Sequence, residues 1–109
     1  MSQLKDLEQL LVDFRDQRDW QQFHNPKDLA IALSLEAGEL LEAFLWKPAV
    51  EGKMEKVKEE LADVFAYGLL LAHYYNLNVE EIIREKVALN ASKYPVEKAK
   101  GNATKYNEL

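Results

Sequence analysis

An all-α, antiparallel four-helix bundle is the fold that this 109-residue sequence predicts. Apolar residues recur at helical rather than alternating spacing through most of the chain. Cap and stop signals divide that pattern into four segments. No strand-like alternation, internal repeat or low-complexity stretch interrupts them.

Leu4, Leu7, Leu10, Leu11 and Phe14 form the first apolar stripe, and Ser2 stands where a cap belongs, which predicts a helix over 2–18. Asp19 to Pro26 reads as a loop carrying Trp20 and Phe23. Asn25 followed by Pro26 then signals a helix start, an acceptor side chain before a residue lacking the N–H that needs no partner there. The second helix is expected over 26–46, with Leu29, Ala32, Leu33, Leu40, Ala43 and Phe44 inward, and Lys47-Pro48 stops it. A third is expected over 52–75, with Val57, Leu61, Val64, Gly68 and Leu71 as its stripe. Asn76-Leu77-Asn78 breaks the pattern before a fourth over 79–93 containing Ile82, Ile83, Val87 and Leu89. The polar tail, 95–109, is expected to order only against another element.

Length and composition set further bounds. A chain of 109 residues makes one domain, 1–109, with a core small enough that self-association would help. A content of 48% hydrophobic and 30% charged residues suits a compact helical protein and argues against disorder. The net charge of −5 disfavours nucleic acid as a partner. The absence of cysteine excludes disulfides, thiolate nucleophiles and zinc–thiolate sites. No secretory signal or membrane-length apolar run is visible, so a cytoplasmic protein with no membrane partner is expected.

Chemistry concentrates in two acidic pairs, Glu36-Ala37-Gly38-Glu39 and Glu60-Leu61-Ala62-Asp63. Three-residue spacing places both members of a pair on one helical face. Those faces otherwise carry Leu, Ala and Val, so the carboxylates are expected to point inward. Glu8, Glu55 and Glu59 fall instead on polar faces, where solvation is expected. Neither motif contains a basic residue, and buried carboxylates need compensation, so the set points to a hard divalent cation. A di-iron bundle would pair Glu with His three residues later, which neither His24 nor His73 satisfies; both are expected at loop or surface positions. Oxygen donors alone favour Mg²⁺, with Mn²⁺ as the alternative.

Aromatic residues flank the pairs. Trp46 stands two turns beyond Glu39 in the expected helix, Tyr67 one turn beyond Asp63, and Trp20 just ahead of the second helix. Tryptophans commonly anchor cores, but beside a metal cluster flat side chains also offer a stacking surface for a nucleobase. Lys86, Asn90 and Lys93 share one face of the fourth helix. They form either a plain basic surface or a row of phosphate contacts.

The run Arg18-Asp19-Trp20-Gln21-Gln22-Phe23-His24, through Glu36-Ala37-Gly38-Glu39-Leu40, to Phe44-Leu45-Trp46-Lys47 resembles the MazG-like nucleoside triphosphate pyrophosphohydrolases. It looks most similar to the dCTP pyrophosphatase branch of that all-α superfamily. Glu59-Glu60-Leu61-Ala62-Asp63-Val64 with Tyr67 matches that branch's second motif. Lys86 through Lys93-Tyr94-Pro95 matches its third, and Lys105-Tyr106-Asn107-Glu108-Leu109 its closing tail. The resemblance implies Mg²⁺-dependent hydrolysis of a nucleoside triphosphate between the α and β phosphates, giving monophosphate and pyrophosphate. Glu36, Glu39, Glu60 and Asp63 would then bind metal and carry catalysis. Trp20, Trp46 and Tyr67 would surround base and sugar, and Lys86, Asn90 and Lys93 would lie near phosphates. Lys93 stands where the family often has Arg, and Leu11 where relatives of the branch can carry a base-contacting His. dCTP or a modified cytosine nucleotide is the implied substrate, and a homodimer or homotetramer the implied assembly. The rival expectation is a non-catalytic helical oligomer that binds nucleotide or protein around a structural cation.

Overall fold

A computed structural model describes residues 2–48 and 52–109. Among the described residues the regular elements are all helical: α1 (Gln3–Gln17), α2 (Pro26–Glu42), α3 (Met54–Tyr74), α4 (Val79–Lys93) and a short α5 (Val96–Ala99). Single 3-10 turns lie at Gln21–Phe23 and Tyr106–Glu108. The chain groups into two compact units that meet at Leu77 and Asn78 in sequence. Helices α1, α2 and α3 build the first, and α4 with the tail builds the second.

Helix starts follow local chemistry closely. Ser2 accepts the Lys5 N–H at 3.2 Å, Asn25 that of Asp28 at 2.9 Å, and Asn78 that of Glu81 at 3.0 Å. Each satisfies a first-turn donor that the helix cannot. The end of α2 departs from expectation. The helix stops at Glu42 rather than at 46, and Ala43–Trp46 continues as turns. Trp46 adopts a left-handed backbone, φ +63°, and Lys47 N–H closes onto the Phe44 carbonyl at 3.1 Å. Pro48 pushes Lys47 away from helical dihedrals, so the chain must leave the helix ahead of it.

In the first unit α2 and α3 run antiparallel. Asn25, Pro26 and Ala30 near the start of α2 share a cleft with Leu71 and Tyr75 at the end of α3. Glu42 and Ala43 share another with Lys53, Lys56 and Glu59 at the opposite end. There, a methyl group on Gly52 would fall 2.5 Å from the Phe44 ring, so this close approach requires glycine. Helix α1 packs on α3. Val12, Leu29, Ala43, Leu69, Leu70 and Ala72 are the buried apolar residues.

One expectation for α1 is corrected. Leu7, Leu10 and Phe14 of its apolar stripe are exposed, while Glu8, Val12 and Arg15 are buried. Glu8, expected in solvent, is only 8% exposed and pairs with His73 Nδ1 on α3 at 2.9 Å. The imidazole compensates the carboxylate, which is what permits a charged side chain there. His73 is accordingly a packing partner rather than a free surface residue. The tail also holds more order than expected: α5 follows Pro95, and the Tyr106 ring packs edge-on against Tyr94, centroids 6.0 Å apart. Among the described residues no helix is long and apolar enough to cross a membrane.

The cap of α2 gives a direct test of this local logic. Asn25→Ala should lower unfolding free energy by about 1 kcal/mol in urea titration, and Asn25→Ser should recover most of it.

Candidate metal centre

Antiparallel packing brings the two acidic motifs to one place. Glu36 from the middle of α2 and Glu60 and Asp63 from α3 each offer an oxygen, and the three oxygens all lie within 4.8 Å of one another. Glu60 is buried, Glu36 is half-buried and Asp63 is exposed, so the cluster sits at the edge of the helix interface. Glu39, one turn after Glu36, is exposed and stands outside that tight trio. Its carboxyl nevertheless helps to raise the Glu36 pKa. The inward orientation expected for all four thus applies to Glu60 and partly to Glu36.

The environment sets these carboxyls apart. Burial, then hydrogen bonds shared with Glu39 and Glu60, and then the negative charge of Glu39 and Asp63 raise the Glu36 pKa to about 7. Glu60 is displaced the other way, below the usual carboxylate value, chiefly by a bond from Lys56. Lys56 Nζ lies 3.0 Å from Glu60 Oε1, one turn earlier on α3. Its own pKa is raised by that bond and by the Glu60 charge. The sequence reading noted no basic residue within either motif and so missed Lys56, although lysine four residues before glutamate is an ordinary helical pairing.

Glu36 Oε2 and Glu60 Oε2 are sealed from solvent without any hydrogen-bond partner. Buried oxygens left unpaired cost stability unless something charged or hydrogen-bonding meets them. Two such oxygens in an oxygen-only set fit a hard divalent cation such as Mg²⁺ or Mn²⁺. Glu36, Glu60 and Asp63 are the residues able to hold it.

The other residues singled out by sequence are distributed as follows. Tyr67, one turn after Asp63, is half-buried, and its phenol pKa is raised by burial and then by the charges of Glu36, Asp63 and Glu39, which places it beside the cluster. Trp20 lies in the loop before α2, edge-on to Phe14 at 5.9 Å, with its backbone N–H on the Arg15 carbonyl at 3.1 Å. Trp46, expected on the helical face of Glu39, lies beyond the end of α2 and is fully exposed at 100%. In the second unit Lys86 and Asn90 are exposed on α4. Lys93 is half-buried, its ammonium 4.7 Å from the centre of the Tyr106 ring. His24 carries a buried Nδ1 without a partner, and burial followed by the Arg15 charge lowers its pKa.

Comparison with known proteins places the chain in a family. The MazG-like family model matches residues 31–109. The chain is 36% identical over 114 aligned positions to dCTP pyrophosphatase 1 of Bos taurus, covering 97% of this chain and 68% of that protein. The Homo sapiens protein of the same name is also 36% identical, with 67% of its length covered. A crystal structure of a pyrophosphatase from Archaeoglobus fulgidus superposes with a TM-score of 0.81 at 36% identity, over 87% of this chain and 94% of that one. With both acidic motifs inside the matched span, the chain belongs to the MazG-like family.

Proposed function

We propose that this chain is a nucleoside triphosphate pyrophosphohydrolase that uses Mg²⁺ to cleave between the α and β phosphates, releasing monophosphate and pyrophosphate. The observation that carries the reading is the meeting of Glu36, Glu60 and Asp63 oxygens within 4.8 Å, two of these residues holding a sealed, unpartnered oxygen. Both curated relatives are named for dCTP, which makes dCTP and modified cytosine nucleotides the first substrates to test. Nucleotide-pool housecleaning is the corresponding role.

A divalent cation in this cluster would neutralise phosphate charge and polarise the anhydride. Glu36, Glu60 and Asp63 would hold it, the first two through half-buried and buried side chains and Asp63 from the exposed edge of the interface. Glu39 is exposed and outside the tight trio, which suits it to take a proton from the attacking water. Tyr67 stays protonated well beyond neutral pH, since its pKa is raised, and can donate a hydrogen bond beside the cluster. Trp20 and Trp46 supply stacking surfaces for the base. The phosphate-contact role of Lys86, Asn90 and Lys93 rests on the resemblance of their motif. Exposed Leu7, Leu10, Phe14, Leu35, Leu41 and Phe65 support assembly as a homodimer or homotetramer.

Incubating the protein with a panel of nucleoside triphosphates and Mg²⁺ should yield pyrophosphate and the matching monophosphate. A nucleotide-binding protein without turnover would release neither. Glu36→Ala and Asp63→Ala should each lower kcat/KM by at least about a hundredfold while leaving the helical circular-dichroism spectrum intact.

Trp46 offers a second test, because stability and activity should separate there. A left-handed backbone at a bulky residue costs about 1–2 kcal/mol, and asparagine tolerates it better. Trp46→Asn should therefore keep or raise the unfolding midpoint. It should also raise KM by roughly tenfold or more, the loss expected when a base-stacking surface is removed.

The raised Glu36 pKa fixes the sign of a pH dependence. Its folded value, about 7, lies above its ordinary 4.5, so the folded protein holds a proton that the unfolded chain releases between those values. Stability without metal should fall as pH rises through that window. Divalent-ion affinity should rise over the same window, because binding must expel the proton. Thermal melts from pH 5 to pH 8, with EDTA or with Mg²⁺, should show the metal-induced gain growing with pH.

A further inference from the structure

The Lys56–Glu60 pair bears on the cluster in a way that the family resemblance does not supply. Lys56 is half-buried at the start of α3, and its ammonium reaches Glu60 Oε1 at 3.0 Å. Glu60 is 6% exposed, and its second oxygen is sealed without a partner. The same residue contributes an oxygen to the trio with Glu36 and Asp63. A charged side chain therefore occupies one oxygen of the most buried residue in the candidate metal centre. Lys56 is also the one basic side chain among the described residues in hydrogen-bond or ion-pair contact with Glu36, Glu39, Glu60 or Asp63.

We infer that Lys56 is the resident cation of this centre, a positioning residue that holds Glu60 in place when no metal is bound and competes with the metal for it. The inference rests on the metal-binding reading given above. Two consequences follow from electrostatics alone. Without metal, Lys56 offsets part of the repulsion among four neighbouring carboxyls, so its loss should destabilise the apo protein. With metal, an incoming ion must either displace the ammonium from Glu60 or bind beside a positive charge. Either route weakens binding, so removing the charge should tighten it. A lysine that merely decorated the surface of α3 would alter neither property.

The test compares wild type with Lys56→Met, which keeps the apolar stem, and Lys56→Arg, which keeps the charge. Mn²⁺ alone is titrated into EDTA-stripped, dialysed protein and followed by electron paramagnetic resonance of the free ion. Lys56→Met should bind Mn²⁺ roughly two- to fivefold more tightly, the range that a partly exposed ion pair supports. It should also melt at lower temperature without metal and gain more on adding Mn²⁺. Lys56→Arg should stay close to wild type in all three measures. Equal or weaker binding by Lys56→Met would overturn the assignment of Lys56 while leaving the metal centre standing. Failure of wild type to bind Mn²⁺ would overturn the metal centre, and this inference with it.

Discussion

Crowding of negative charge between two helices is the constraint on which the rest of the first unit depends. Three carboxylate oxygens within 4.8 Å repel one another, and two of their side chains also lose solvent. Such a site persists only if the surrounding packing holds α2 against α3 regardless of it. Leu29, Ala43, Leu69 and Leu70 are buried at that packing, and Asn25 and Pro26 begin α2 at a defined residue. Gly52 lets the Phe44 ring approach the start of α3. The apolar contacts and caps are thus what make an unfavourable cluster tolerable, and a tolerable cluster is what a cation can use.

That packing is thin. Few apolar residues are buried, and large apolar side chains on α1, α2 and α3 remain in solvent, Leu10, Leu35, Leu41 and Phe65 among them. A helix a few turns long in a chain of this size presents more apolar surface than two neighbours can cover. The exposed set is not scattered: Leu7, Leu10 and Phe14 repeat at three- and four-residue steps along α1. The proposed homo-oligomer and the small core are therefore two sides of one fact, since surface withheld from the monomer's interior is available to another copy.

What the sequence disclosed and what it concealed separate by range. Caps at Ser2 and Asn25 depend on residues three positions away and are legible, and the break at Asn76–Asn78 marks where Asn78 caps the next helix. The same holds for the spacing that aligns Glu36 with Glu39 and Glu60 with Asp63. The Glu8–His73 pair joins residues 65 apart, and no local pattern announces it. It also explains why Glu8, expected in solvent, is buried: a carboxyl with a partner across the interface can take such a position. The end of α2 failed for a different reason. Ala43–Trp46 is apolar enough to continue a helical pattern, yet the chain leaves the helix after Glu42 and Trp46 takes a left-handed backbone that no local sequence signal announces. Lys56 lies one turn outside the acidic motif, and a lysine at that spacing is as often an ordinary surface pairing as a partner of a buried carboxyl.

The two most sheltered carboxyls of the cluster are handled by opposite means, and this has a bearing on how the site works. Glu36 is shielded by burial and shares hydrogen bonds with other acids, so it retains a proton up to about pH 7. Glu60 is more buried by area, yet the ammonium of Lys56 keeps it ionised. Burial alone would push both carboxyls up. The Lys56 ammonium at 3.0 Å overrides it at Glu60 and leaves Glu36 as the raised member. Below neutral pH the metal-free cluster is thus relieved of charge by a proton on Glu36 and by the Lys56 ammonium on Glu60. Divergent carboxyl environments of this kind are how one small site assigns distinct roles to like residues. Here the assignment leaves Glu60 charged and oriented, Glu36 poised to lose its proton, and Glu39, outside the tight trio, free to meet solvent.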